Sequence, residues 1–117
     1  MGLSTHVLDT MHGVPAAGMT VALYATRGDS LVQLKQFVLN QDGRNPGGLL
    51  LSAADLQRGT YRLVFEVAGY FKARNVALLE PNFLGQVNLD FGVSEPTAHY
   101  HVPLLVSPWS YSTYRGS

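Results

Sequence analysis

His99-Tyr100-His101-Val102-Pro103-Leu104-Leu105-Val106-Ser107-Pro108-Trp109-Ser110-Tyr111-Ser112-Thr113-Tyr114-Arg115-Gly116-Ser117 is the stretch on which the fold turns. Chain ends are usually polar and frayed. This one holds two of the 4 histidines, the single tryptophan and three of the 6 tyrosines. Residues 99–106 are β-branched, aromatic and apolar, and residues 109–115 alternate large and small side chains. Both runs read as strands, with Pro108 breaking the ladder between them. A period of two puts His99, His101, Pro103 and Leu105 on one face of the first run, and Ser112, Tyr114 and Gly116 on one face of the second. Arg115 and Ser117 then place a guanidinium, a hydroxyl and a carboxylate at the end of a strand that must pack.

The same period recurs toward the N-terminus. Residues 3–9 read as a strand with His6 and Leu8 on one side and Thr5, Val7 and Asp9 on the other. Gly13, Pro15 and Gly18 mark residues 10–18 as a loop. Residues 19–25, 31–39, 60–67 and 85–92 are expected as further strands, and 49–51 as a short edge strand. Asn40-Gln41-Asp42-Gly43 is a turn signal, with Arg44 directly after it. Ser52 caps one expected helical turn over 53–57. One longer helix is expected over 69–79, ended by Glu80-Pro81, with an irregular connection at 82–84. Seven to eight strands with one short α-helix make an all-β, two-sheet sandwich, in a single domain over residues 1–117.

Composition narrows the function classes. The chain has 117 residues, no cysteine, and 8 basic side chains against 8 acidic ones. That excludes disulfides and thiolate chemistry. A net charge of zero offers no electrostatic footprint for nucleic acid or an anionic membrane, and little to keep copies apart. No apolar run is long enough for a transmembrane helix, and residues 1–6 lack a signal-peptide pattern, so the expected location is cytoplasmic.

Chemistry-bearing residues are few. There is no nucleophile elbow, no glycine-rich phosphate loop and no glycosidase-type carboxylate pair. His99 and His101 share a strand face, and with His6 or Asp9 they could form a metal site, although no carboxylate has an obvious ligand spacing. The plainer reading of His101 and His6 is an imidazole satisfied by backbone groups inside the sandwich. His12 lies in the loop and reads as solvated. Arg44 reads either as a surface partner of Asp42 or as a planar clamp for an anion. Imidazoles, a guanidinium and a hydroxyl together suit water activation at a carbonyl. On residues alone, a hydrolase and a binding module both remain open.

Several segments together resemble the transthyretin-related 5-hydroxyisourate hydrolases. These are residues 3–10, Gly13-Val14-Pro15-Ala16, Asp42-Gly43-Arg44, residues 99–105, and Tyr111-Ser112-Thr113-Tyr114-Arg115-Gly116-Ser117. The resemblance covers essentially the whole chain in order, and Tyr114-Arg115-Gly116-Ser117 is its most specific piece. Leu39-Asn40-Gln41, before Asp42-Gly43-Arg44, departs from the pattern there, where threonine is commoner, which bears on the turn and not on the chemistry. The resemblance implies a catalytic set of His6, Arg44, His101 and Ser117, with Tyr114, Arg115 and Gly116 joining Arg44 and Ser117 in substrate binding. It implies opening of the cyclic amide of 5-hydroxyisourate to 2-oxo-4-hydroxy-4-carboxy-5-ureidoimidazoline in urate breakdown, without metal or other cofactor. Water would attack a ring carbonyl, with His101 expected as the base that positions it. It further implies a homotetramer, a dimer of dimers, with sites at the dimer–dimer interface. The alternative of another class is a transthyretin-like carrier of small aromatic ligands, against which the bulk of Tyr114 stands.

Overall fold

The structure, a computed structural model, describes residues 1–116; Ser117 lies outside the described residues. Nine strands and one helix follow in chain order: β1 (Gly2–Asp9), β2 (Val14–Pro15), β3 (Thr20–Arg27), β4 (Ser30–Val38), β5 (Leu51–Ser52), β6 (Gly59–Glu66), α1 (Val67–Ala73), β7 (Gln86–Val93), β8 (His99–Val106) and β9 (Tyr111–Thr113). They form two sheets. One runs β2-β1-β8-β9, with β5 also paired to β1; the other runs β4-β3-β6-β7. Every pairing is antiparallel except that of β1 with β8.

The core lies between the sheets. Leu3, Val7, Leu104 and Val106 meet Val21, Leu23, Leu63 and Phe65 there, and Phe71 of α1 closes one end; all are fully buried. Burial alternates along β1, with Leu3, Thr5, Val7 and Asp9 inside and Ser4, His6 and Leu8 half-buried outside. This is the parity expected from the sequence, and it sends the histidines outward. Thr5 can face the core because its hydroxyl donates to the Val102 carbonyl at 2.7 Å.

Three local expectations change. The helix starts two residues earlier and stops at Ala73. Its end is a Schellman motif: Asn75 takes the left-handed conformation (φ 65°), its N–H reaches the Lys72 carbonyl, and the Val76 N–H reaches the Phe71 carbonyl, both at 3.0 Å. Asn tolerates that conformation, so the apolar residues 76–79 do not extend the helix. Residues 53–57 form a hydrogen-bonded turn on Ser52 rather than a helix element. Val14–Pro15, inside the expected loop, pair with Leu8 and Asp9 as a two-residue strand.

His12 is not simply solvated. Asp9 is fully buried, and its carboxylate accepts from the His12 backbone N–H (3.0 Å), His12 Nδ1 (2.6 Å) and the Tyr70 hydroxyl (2.8 Å). Burial alone would raise the Asp9 carboxyl, but these hydrogen bonds hold it below its ordinary value. The network ties β1, the following loop and α1 together, and it gives the buried Asp9 carboxylate its partners.

Candidate functional site

The outward face of the β1–β8 pair carries the imidazoles. Their parallel register sets Ser4 opposite His101, Gly2 opposite His99 and His6 opposite Pro103. Arg44 arrives from outside the strands and forms an isolated antiparallel bridge with His6. The turn before it explains how. The Asn40 side-chain oxygen accepts the N–H groups of Asp42 (2.9 Å) and Arg44 (3.1 Å), while the Asn40 N–H donates to the Arg44 carbonyl (2.8 Å). Gly43, at φ 71°, lies so close to β1 that a Cβ there would stand 2.5 Å from the Val7 carbonyl oxygen. Only glycine permits that approach, so the Asp42-Gly43 turn sets the place of Arg44. No hydrogen bond or ion pair joins Arg44 to Asp42 among the described residues.

Both site imidazoles titrate below the ordinary histidine value. For His6 the causes are burial and then the Arg44 charge, partly offset by Asp42. For His101 they are burial, then Arg44, His6 and His99. Desolvation and a neighbouring cation both disfavour imidazolium. The face therefore offers two neutral imidazoles beside a permanent cation at neutral pH, a set suited to taking a proton from water and holding a developing oxyanion.

The His101 ring is held on two edges. Nδ1 lies 2.8 Å from the Ser4 hydroxyl oxygen. On the other edge Gly116 bridges His101, donating its N–H to the His101 carbonyl at 2.7 Å, and a Cβ on Gly116 would come within 2.6 Å of His101 Cδ2. The ring's far end, Nε2 and Cε1, is left to face outward. His99 Nε2 lies 3.4 Å from the same Ser4 oxygen, and His99 Nδ1 is buried without a partner among the described residues. Sequence reasoning did not single out Ser4, although it shares the strand parity of His6, two residues away.

The structure thus brings His6, Arg44, His101 and Gly116 together. Tyr114 follows β9 and is exposed. The Arg115 guanidinium sits 4.0 Å from the centre of the Tyr100 ring and donates to the His99 carbonyl at 3.3 Å, so its charge stacks on an aromatic face rather than beside the two imidazoles. Ser117 lies outside the described residues. Next to the imidazoles, Ser4, Asn40, Arg44, Asn45 and Leu49 help line a shallow concavity of about 390 Å³. No group of three His, Asp or Glu side chains among the described residues is placed to share a metal ion, His6, His99 and His101 included.

Known proteins resemble this chain over nearly its whole length. A curated 5-hydroxyisourate hydrolase from Deinococcus radiodurans is 51% identical over 116 residues, covering 99% of this chain and 96% of that one. Among solved structures, the 5-hydroxyisourate hydrolase of Klebsiella pneumoniae superposes with a TM-score of 0.75 at 35% identity, covering 98% of this chain and 92% of that one. An (S)-allantoin synthase superposes with a TM-score of 0.93 at 42% identity; it covers 99% of this chain, which spans only 43% of that longer one. The family model described as HIUase/Transthyretin matches residues 3–116, and the chain belongs to that family.

Proposed function

We propose that this protein hydrolyses 5-hydroxyisourate, opening its cyclic amide in urate degradation. One observation carries the reading: three segments distant in sequence deliver His6, Arg44 and His101 to one outward face, where burial and the Arg44 charge keep both imidazoles neutral. In the reaction an attacking water loses its proton to a neutral imidazole, and its oxygen bonds to the ring carbonyl carbon. The carbonyl oxygen gathers negative charge beside Arg44, the ring C–N bond breaks, and the proton passes to the departing nitrogen. Arg44 serves as the anion clamp because its planar guanidinium stays charged and offers paired donors. Tyr114, Arg115, Gly116 and Ser117 complete the substrate pocket, with Ser117 contributing its hydroxyl. The residues need no cofactor for this chemistry.

The face is open in a single chain. A cleft that excludes bulk water requires a second surface over it, which supports a homotetramer with sites between dimers; we place its action in the cytoplasm. The direct test generates 5-hydroxyisourate from urate with urate oxidase and follows its ultraviolet decay with and without this protein. Acceleration is expected; an unchanged decay would remove the hydrolase reading.

A further inference from the structure

We propose that Ser4 is a positioning residue for the reaction: its hydroxyl accepts from the His99 Nε2–H and donates to His101 Nδ1, which keeps the His101 proton on Nε2. The inference rests on the hydrolase reading of this face and adds to it a division of labour between the two imidazoles.

One hydroxyl lies within reach of two ring nitrogens, His101 Nδ1 at 2.8 Å and His99 Nε2 at 3.4 Å. A serine hydroxyl has a single proton and two lone pairs, so it can accept from both nitrogens, or donate to one and accept from the other. Accepting from both leaves the Ser4 proton with no acceptor among the described residues, where the two rings are its hydrogen-bond partners. Two directions use that proton. If His101 Nδ1–H donated to Ser4, the Ser4 proton would go to His99 Nε2, and neutral His99 would carry its own proton on Nδ1. That nitrogen is buried with no acceptor among the described residues. A buried N–H without an acceptor is rarer than a bare acceptor site, because the lost donor bond has no replacement. In the opposite direction His99 Nδ1 holds only a lone pair, His99 Nε2–H donates to Ser4, and Ser4 donates to His101 Nδ1. The orphaned nitrogen of His99 thus selects the direction of the relay.

The consequence falls on His101. With its Nδ1 edge on Ser4 and its Cδ2 edge against Gly116, the ring cannot turn over without losing the hydrogen bond or striking Gly116. The outward nitrogen is Nε2, and it carries hydrogen. His101 then donates to the carbonyl oxygen, next to the charge of Arg44, as negative charge gathers there. The proton of the attacking water goes to His6. This exchanges the roles expected from the sequence, in which His101 was the base.

Nitrogen NMR of the whole protein, labelled at histidine, distinguishes the two tautomers. His101 is expected with its proton on Nε2, and a proton on Nδ1 in the parent protein would overturn the proposal. Ser4→Ala should allow the His101 proton to redistribute between the nitrogens and should lower kcat about tenfold, the scale of one hydrogen bond, with KM nearly unchanged. Ser4→Thr restores the hydroxyl and should recover both the spectrum and the rate. An Ala variant with the parent's tautomer and kcat would also overturn the proposal. Should the Ala variant fold poorly, the parent spectrum and the Thr variant still decide. The spectrum needs no turnover, so a failed hydrolase assay leaves the relay intact, and a wrong tautomer in an active protein removes the relay alone.

Discussion

At His101, replacement by Asn retains a polar side chain of similar size and removes the titrating ring. The rate of 5-hydroxyisourate decay should fall between about 10² and 10⁴-fold while the melting temperature stays near the parent's. A variant within threefold of the parent would place the chemistry elsewhere. The pH profile follows from the lowered imidazoles. An unperturbed histidine titrates near about 6.5, and both His6 and His101 lie below that in the folded chain. Neutral imidazole therefore persists into mildly acid solution, and kcat/KM should decline only below about pH 6.5. The same sign applies to stability. The unfolded chain binds protons at these two positions first, so their contribution is intact above about pH 6.5 and is lost as pH falls through the folded values. An acid limb centred above pH 7 would contradict the burial of these rings.

Among the elements, β1 is the organiser. Its inner edge pairs with β8 along the whole strand, while its outer edge is satisfied in pieces: β5 at Gly2 and Leu3, Arg44 at His6, and β2 at Leu8 and Asp9. Because no continuous strand occupies that edge, a turn can bring a functional side chain to it. The segment after β9 does the corresponding work for β8, where Gly116 backs the His101 ring. Gly116→Ala would put a Cβ 2.6 Å from His101 Cδ2, closer than real contacts allow, so the ring must move off Ser4. A displacement of about 1 Å in a site group can lower the rate about 10²-fold. The expected result is a loss of that order in kcat/KM with little change in melting temperature. Parent-level activity in this variant would show that the Gly116 contact does not set the ring.

For the whole molecule, the net charge of zero and the half-buried His6, Leu8, His101 and Leu105 on one outward face favour a covering chain. Light scattering at micromolar concentration should give the mass of four chains. A monomer with full activity would show that a single open face suffices for hydrolysis. If the proposed assembly covers the site, substitutions that weaken it should lower activity and mass together.

Period-two patterning in the sequence determined much of this protein. It sorted β1 and β8 into two faces and grouped His6 with Leu8 and His101 with Leu105, because side-chain alternation is a local property of an extended backbone; that the histidine faces point outward was decided by the packing of the sheets. Turn chemistry likewise marked Asp42-Gly43 and left Arg44 beside it. Where patterning met a local conformational choice it was less reliable. The helix ended at the left-handed Asn75 rather than before Pro81, and Val14–Pro15 joined a sheet from within an expected loop. Only the tertiary structure decided the parallel pairing of β1 with β8, because register depends on contacts between residues nearly a hundred positions apart. That register placed Ser4 between His99 and His101, brought the Asn40–Arg44 turn against Val7, and turned the Arg115 charge onto Tyr100. It also gave His12 and Tyr70 to the buried Asp9 carboxylate. A sequence names the groups that can form such bonds, but only packing decides which of them lose water and must therefore find one another.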